Sequence, residues 1–427
     1  MASTQYQHYI PQFMLRRFAV VEQTSPSKVS KRNRKSEKQH RNRNATVKVL
    51  HLRRSPPKIT NELVRRTFGQ QDMYNDGLKD CVETKIYPPD ALWLAQHVRS
   101  MYMAFVTPSD PQEEFILTEN AFGIHEGPVS YSVNRFTGKK KQTVYTEFHL
   151  LTVISPRLAI VFRSEEMPEP LEDLIPRVRE WKSTMLAMTA HIHADPEHVT
   201  SLLEDLPIAK ARNSYTTVRN GRIELAEGAD GVPKMNDKFV FIFFPLESDH
   251  AQKINMVMLD QAHDIDKLVF KSETALLKAM EFYLEYPCLT RGLYSMKTVS
   301  DDPDDPRLRF LKQMEDVASM LGSSTTAKYH VDPLWEDDEA IPLETAVAQV
   351  LATTTDTPEK DHTTLATEVL MNTLIKMKNN ITVSNKPDQI QDSLLVFPDA
   401  AYGEGGDPII CTDPDQSIIL ALDDRCC

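Results

Sequence analysis

On either side of Pro11, Ile10, Met14 and Phe18 recur every fourth residue, the spacing of one buried helical face, with Arg16 and Arg17 turned away from it. Pro11 stands where a first-turn proline belongs, so the pattern predicts a short docked helix whose aromatics and Met14 serve packing. "VKVLHL" (47–52) alternates and reads as a strand. "TNELVRRTFG" and "DMYNDGLKDCVETKI" read as helical pieces, broken at Pro88-Pro89. Asp90 then caps "ALWLAQHVRSMYMAFV", where Leu94, Val98, Met101, Tyr102 and Phe105 form a helical stripe.

A strand-rich section follows. "EFILT" (114–118), "VYTEFHLLTVI" (144–154) and "RLAIVFR" (157–163) have the β-branched and aromatic content of strands, the last two joined as an antiparallel hairpin through Ser155-Pro156. Helices are predicted from Leu174 to Thr189 and over "EHVTSLLEDL", the second begun by Asp195-Pro196. "KFVFIFF" (238–244) is continuously apolar, as in a fully buried strand. "DHAQKINMVMLDQAH" reads as a helix, "KLVF" (267–270) as a strand, and "ETALLKAMEFYLEY" as a helix capped by Ser272. That order permits one right-handed crossover. Beyond "DDPDDP" (301–306) lie helical patterns at 307–321, about 340–352 and 358–379, and then an Asp- and Pro-rich stretch in which "SLLVF" and "SIILAL" have the pattern of short strands.

These patterns predict an α+β fold: a mixed, partly antiparallel sheet packed with helices, followed by a helical C-terminal extension. The expected boundaries are a domain at 1–290 containing a basic mobile loop at 28–44, an acidic linker at 291–306, a helical extension at 307–380 and a loose acidic tail at 381–427.

Charge changes this picture at one place. The 427-residue chain carries a net charge of -12, which argues against a wholly basic surface. Yet residues 28–54 hold eleven Lys or Arg against one acid, Glu37. Lys31, Arg32, Arg34, Lys35, Arg41 and Arg43 are its densest part, and up to Asn44 the run has almost nothing apolar to bury. Three readings stand: a solvated loop, a signal for a nuclear-import receptor, or a clamp on nucleic-acid backbone. No aromatic interleaves with these cations for base stacking.

Other classes fall away. No apolar run approaches the roughly 20 residues of a membrane helix, and the opening residues lack the pattern of a secretory signal. Five scattered cysteines make no disulfide framework, which fits the cytoplasm or nucleus. The terminal pair Cys426 and Cys427 lacks the aliphatic residues of the usual prenylation motif, so lipidation there is not expected. No Gly-rich phosphate loop, G-x-S-x-G elbow or C-x-x-C pair occurs, and no cofactor is assigned. "HIHADPEH" (191–198) looks metal-like, but Asp195 is explained as a helix cap and histidines two apart on a helix point away from each other. No metal site is therefore assigned.

"QHYIPQFMLRRFA" resembles the opening signature of the domain-of-unknown-function family DUF4238, as found in fungi. "TFGQQDMYND", "EFILTENAFGIHEGP", "TEFHLLTVISPRLAIVFRS", "SLLEDLP" and "KFVFIFFPLESDHAQKINMVMLDQA" are similar to further blocks of that family. The resemblance implies one mixed α/β domain and no established reaction. One departure stands out: where relatives carry a longer helical stretch after the region of Glu83, this chain runs directly through "VETKIYPPDALWL". Either a helix pair is lost or coding sequence has been skipped.

Two functions are open. The first is a binding or scaffold role, with the basic segment recruiting a partner. The second is a hydrolase or nuclease-like centre of His8, Glu119 and Asn120, with Glu83 as a further acid and His125 and Glu126 on the same loop as Glu119. His8 is the titratable member of the signature, and "TEN" (118–120) ends a predicted strand, where functional loops sit. Against these stand a histidine bonded to a carbonyl at the helix start and ordinary turn chemistry of Asn120. Arg157 and Arg163 flank a predicted strand and are candidates either for binding an anionic group or for solvating strand ends.

Overall fold

A computed structural model describes residues 6–8, 10–19, 45–54, 56–71, 98, 100–120, 124–127, 129–133, 136–145, 148–169, 174–190, 201–220, 222–230, 234, 236–288, 296–336 and 417–420. The architecture is α+β. Two sheets enclose much of the core. The first contains β5 (Met101–Pro108), β7 (Ile124–Glu126), β10 (His149–Ser155), β11 (Leu158–Ser164), β12 (Arg212–Asn213) and β15 (Phe239–Leu246), in the order β12-β15-β5-β11-β10-β7. β20 (Ser417–Leu420) pairs antiparallel with β15. Only the β15–β5 pairing is parallel in this sheet. The second sheet is antiparallel, in the order β3-β2-β16-β6, from β2 (Thr46–His51), β3 (Lys58–Leu63), β6 (Leu117–Thr118) and β16 (Lys267–Phe270).

Smaller ladders complete the strands. β1 (Tyr6–His8) pairs with β4 (Gly69–Gln71), and β13 (Thr216–Arg219) with β14 (Arg222–Leu225). β17 (Thr298–Val299) pairs with β18 (His330–Val331), while β8 (Val129–Val133), β9 (Lys140–Tyr145) and β19 (Trp335–Glu336) form a three-stranded set.

Five helices are described: α1 (Gln12–Phe18), α2 (Pro176–Ala190), α3 (Ser248–Asp260), α4 (Glu273–Glu285) and α5 (Pro306–Met320). The buried face of α1 is Met14, Leu15 and Phe18, with Ile10 just before it, and α1 packs on β2, β10 and β16. Ser272 caps α4 by accepting from the Ala275 amide. Asp305 caps α5 from the Arg307 and Leu308 amides, with Pro306 in the first turn, so part of "DDPDDP" is an ordered helix start. Phe310, Leu311, Met314 and Val317 of α5 enter the same apolar core as α1, β2, α3 and α4. No helix among the described residues is long and apolar enough to cross a membrane.

The predicted docked helix, the strands at 47–52 and 267–270, the hairpin at Ser155-Pro156 and the helices of α2 to α5 form essentially as their patterns imply. Several segments differ. "TNELVRR" is mostly strand β3 and then a single 3-10 turn, Val64–Arg66, because its backbone pairs with β2 from Thr46↔Leu63 to His51↔Lys58. Residues 101–108 are strand β5, with Tyr102, Ala104 and Val106 buried at alternate positions. A nearly continuous apolar run satisfies both periods, and strands on both sides of β5 supply its backbone partners.

"EFILT" keeps only a two-residue strand, because Asn255 of α3 occupies the neighbouring backbone. Its Oδ1 accepts from the Ile116 amide at 3.1 Å and its Nδ2 donates to the Glu114 carbonyl at 3.0 Å. The run at 144–154 divides between β9 and β10. Residues 201–206, expected to be helical, are irregular; side chains take the Leu202 and Leu203 amides. "KFVFIFF" is a strand but only half-buried, with Phe241 and Phe243 against Phe105 at ring separations of 5.4 and 5.6 Å. β15 and β16 lie in different sheets, so the expected crossover does not join them. The helical patterns at 72–86, 91–97, 340–352 and 358–379 lie outside the described residues.

Candidate functional site

The face from which the basic segment departs is built from two short elements. On α1, positions 14, 15 and 18 fill the core, so Phe13, Arg16 and Arg17 fall on the solvent side. The 3-10 turn after β3 exposes Arg65 and Arg66 while burying Val64. α1 packs directly against this turn, which brings two arginine pairs, about fifty residues apart in sequence, onto adjacent elements.

The loop ends belong to the same structure. Phe18, one residue before the α1 C-cap Ala19, is completely buried. The chain is described again from Ala45, whose carbonyl accepts the Val64 amide at 2.9 Å. The densest cations, Lys31, Arg32, Arg34, Lys35, Arg41 and Arg43, lie outside the described residues, but both anchors of their segment sit at the arginine face. Glu62, the acid closest in sequence to Arg65, is drawn towards Lys267 (3.3 Å) and His51 (3.2 Å). Further along the basic run, Lys48 is tied to Glu273 and Arg53 to Asp266, while Arg54 is exposed.

The residues considered for chemistry are placed as follows. The His8 backbone pairs with Gly69 across β1 and β4, close in sequence to the 3-10 turn; its side chain and Glu83 lie outside the described residues. The Glu119 carboxylate accepts the Asp266 and Lys267 amides at 2.6 and 3.2 Å. Asn120 donates to the Gln261 carbonyl at 2.9 Å. Both therefore hold the 261–267 turn. Glu113 and Glu114 act alike: Glu113 accepts from Ser248 and Gln252 of α3 and Lys278 of α4, and Glu114 accepts the Ser272 amide at 2.9 Å.

Arg157 donates to the carbonyls of Pro108, Asp110 and Glu113, closing the turn between β5 and β6. Arg163 is buried and donates to the Pro168 and Glu204 carbonyls at 3.2 and 3.0 Å. The 191–198 histidine string and Cys426 and Cys427 are outside the described residues.

Sequence reasoning missed a buried polar row. Glu126, His149, Arg163 and Tyr102 are in direct cross-strand register over β7, β10, β11 and β5. Paired residues share a sheet face, so these four line up in one layer. His149 is completely buried, and its Nδ1 lies 2.6 Å from Glu126 Oε2. Burial holds its imidazole below the ordinary histidine range, against the opposing pull of Glu126. Ser201 donates to the same carboxylate at 2.8 Å and the Leu202 amide does so at 2.7 Å. Tyr102 donates to Glu169 at the other end.

The serine lies on the Nδ1 side of the ring, against Glu126, whereas a serine nucleophile would need the opposite nitrogen. The row anchors residues 201–203 to the sheet. Its signal in the sequence is faint: Glu126 and His149 stand at the ends of separate short strands, and only pairing unites them.

The sequence profile of the family described as "Protein of unknown function (DUF4238)" matches residues 6–88 and 79–274. The two matched segments meet at 79–88, where the chain was noted to depart from the pattern of that family. No curated protein and no solved structure matches the chain.

Proposed function

The chain belongs to the DUF4238 family of proteins of unknown function, and from that premise, which assigns no reaction, we propose that it is a binding protein whose arginine face and basic segment recruit nucleic acid. One observation carries this reading. Residues 20–44, with eight Lys or Arg against two acids, Glu22 and Glu37, lead from Ala19 to Ala45, and both of these lie beside four exposed arginines, Arg16, Arg17, Arg65 and Arg66. A cation-rich run hinged on a cationic face concentrates positive potential despite the acidic balance elsewhere. Phosphate backbone is the polyanion that such a surface attracts, through counterion release.

Nothing among the described residues favours the hydrolase reading over this one. Glu119 and Asn120 are engaged with backbone groups of the 261–267 turn. Measuring anisotropy of labelled oligonucleotides across a salt series tests the proposal. Binding should weaken with salt, and both deletion of 28–44 and the combined change of Arg16, Arg17, Arg65 and Arg66 to Ala should lower the affinity and flatten the slope. Salt-insensitive binding, or variants indistinguishable from the parent, overturns it. Tight binding to an import receptor without affinity for oligonucleotides also overturns it, in favour of a targeting role.

A further inference from the structure

We propose that the arginine face takes single-stranded nucleic acid, with the ring of Phe13 as a platform on which one base stacks. This rests on the nucleic-acid reading above and deepens it by naming the form of the ligand.

Aromatics of the opening signature were expected to serve packing. Phe18 does, fully buried, but Phe13 is 58% exposed. The helical period dictates this. With Ile10, Met14, Leu15 and Phe18 turned inward, position 13 falls on the opposite side, together with 16 and 17. The only described helix presented on this face therefore offers one large apolar ring and two guanidinium groups within a single turn. The 3-10 turn against which it packs adds Arg65 and Arg66.

An isolated exposed aromatic needs no explanation. An exposed aromatic on the same helical turn as two arginines has a specific use. Single-stranded nucleic acid presents alternating phosphates and free base faces, and proteins that bind it pair a cationic track with aromatic platforms. The basic segment 28–54 lacks interleaved aromatics, and α1 supplies one at the segment's base. A duplex offers the same phosphates but keeps its base faces stacked inside. It therefore engages the arginines without the ring. Stacking and phosphate contact are common to DNA and RNA, and either satisfies the proposal.

Four fluorescent probes of equal length test this on the full chain: a single strand, a duplex, a single strand whose bases are replaced by abasic sites, and poly-glutamate. Expected is a preference for the base-bearing strand over the abasic strand of roughly 5- to 150-fold, the equivalent of about 1–3 kcal/mol for one stacked base. Phe13→Ala should abolish that preference while leaving duplex affinity and salt slope unchanged, and Phe13→Trp should retain it. Because Phe13 is exposed, the variants should melt with the parent, which thermal unfolding verifies.

Equal affinity for the base-bearing and abasic strands, or a preference that survives Phe13→Ala, overturns the stacking inference and leaves the nucleic-acid reading standing. Failure of all three nucleic-acid probes, or stronger binding of poly-glutamate than of any of them, overturns both.

Discussion

Val64 donates its backbone amide to the carbonyl of Ala45 at 2.9 Å. That bond ties Ala45, the residue that follows positions 28–44, to the turn that exposes Arg65 and Arg66, and the binding predictions follow from it.

Cations on this surface should differ in weight. Arg17 is exposed on the solvent side of α1, whereas Arg53 is held by Asp266 at 2.6 Å. Arg17→Glu should reduce oligonucleotide affinity and lower the salt slope by about one unit per lost phosphate contact. Arg53→Ala should leave the slope nearly unchanged and alter stability by at most about 1 kcal/mol. Parallel salt titrations check the pair.

The buried row makes a separate prediction about stability. Removing Glu126 strips partners from His149 Nδ1, the Ser201 hydroxyl and the Leu202 amide at once. Glu126→Ala should cost about 3–5 kcal/mol in urea unfolding, since it breaks a fully buried pair and leaves orphaned polar groups. Glu126→Gln, which keeps one acceptor and the same shape, should cost less. Equal costs would mean that the carboxylate charge and its second oxygen account for the whole contribution of Glu126.

Acid should act through the same row. His149 is held below its ordinary value of 6.5, chiefly by burial. A depressed folded value means that the neutral ring contributes stability in full above pH 6.5, and that this contribution is lost as pH falls through the lower folded value. Glu126 and Arg163 face the ring across the row and take part in its titration. Melting temperature measured from pH 8 downward should therefore decline below pH 6.5, and His149→Asn should show a shallower decline from a lower starting point.

At the alkaline end, Lys297 contributes. It is completely buried at the C-terminus of α4, donates to the Tyr283, Leu284 and Tyr286 carbonyls, and burial lowers its amine to about 8. Unfolding restores an amine near 10.5, so the unfolded chain binds more protons between the two values. Stability from this group should rise from pH 8 to pH 10.5 and be lost as pH falls through 8. Lys297→Met should flatten that rise, as denaturant midpoints across the window will show.

Asn255 makes the last prediction. It satisfies the Ile116 amide and the Glu114 carbonyl from the buried face of α3. Asn255→Leu keeps the volume but orphans both backbone groups, at about 1–3 kcal/mol each. The same segment should show faster amide hydrogen exchange in the variant.

Local chemistry made much of the fold legible. Ser272 caps the helix that follows it, as its sequence pattern implied, because a cap acts on amides two or three residues away, whereas the Asp305 cap lies in a stretch that read as an acidic linker. Ile10, Met14 and Phe18 marked the buried side of α1 because helical period alone turns them together. Where a run was apolar throughout, as at 101–108, period did not discriminate, and strand neighbours on both sides decided. The candidates Glu119, Asn120, Arg157 and Arg163 were chosen as polar residues at strand ends, and strand ends are also where loops need side chains to satisfy backbone groups.

The linear order of residues was enough to settle the buried face of α1, the Ser272 cap, the chief hairpin and the presence of a strongly cationic run, since each arises from contacts within a few positions. The register that aligns Glu126, His149, Arg163 and Tyr102, and the packing that sets Arg16 and Arg17 beside Arg65 and Arg66, came only with the folded chain. Strand pairing and helix docking select among many remote partners of similar hydrophobicity, and that choice is made by the whole core at once, with no trace in any one segment.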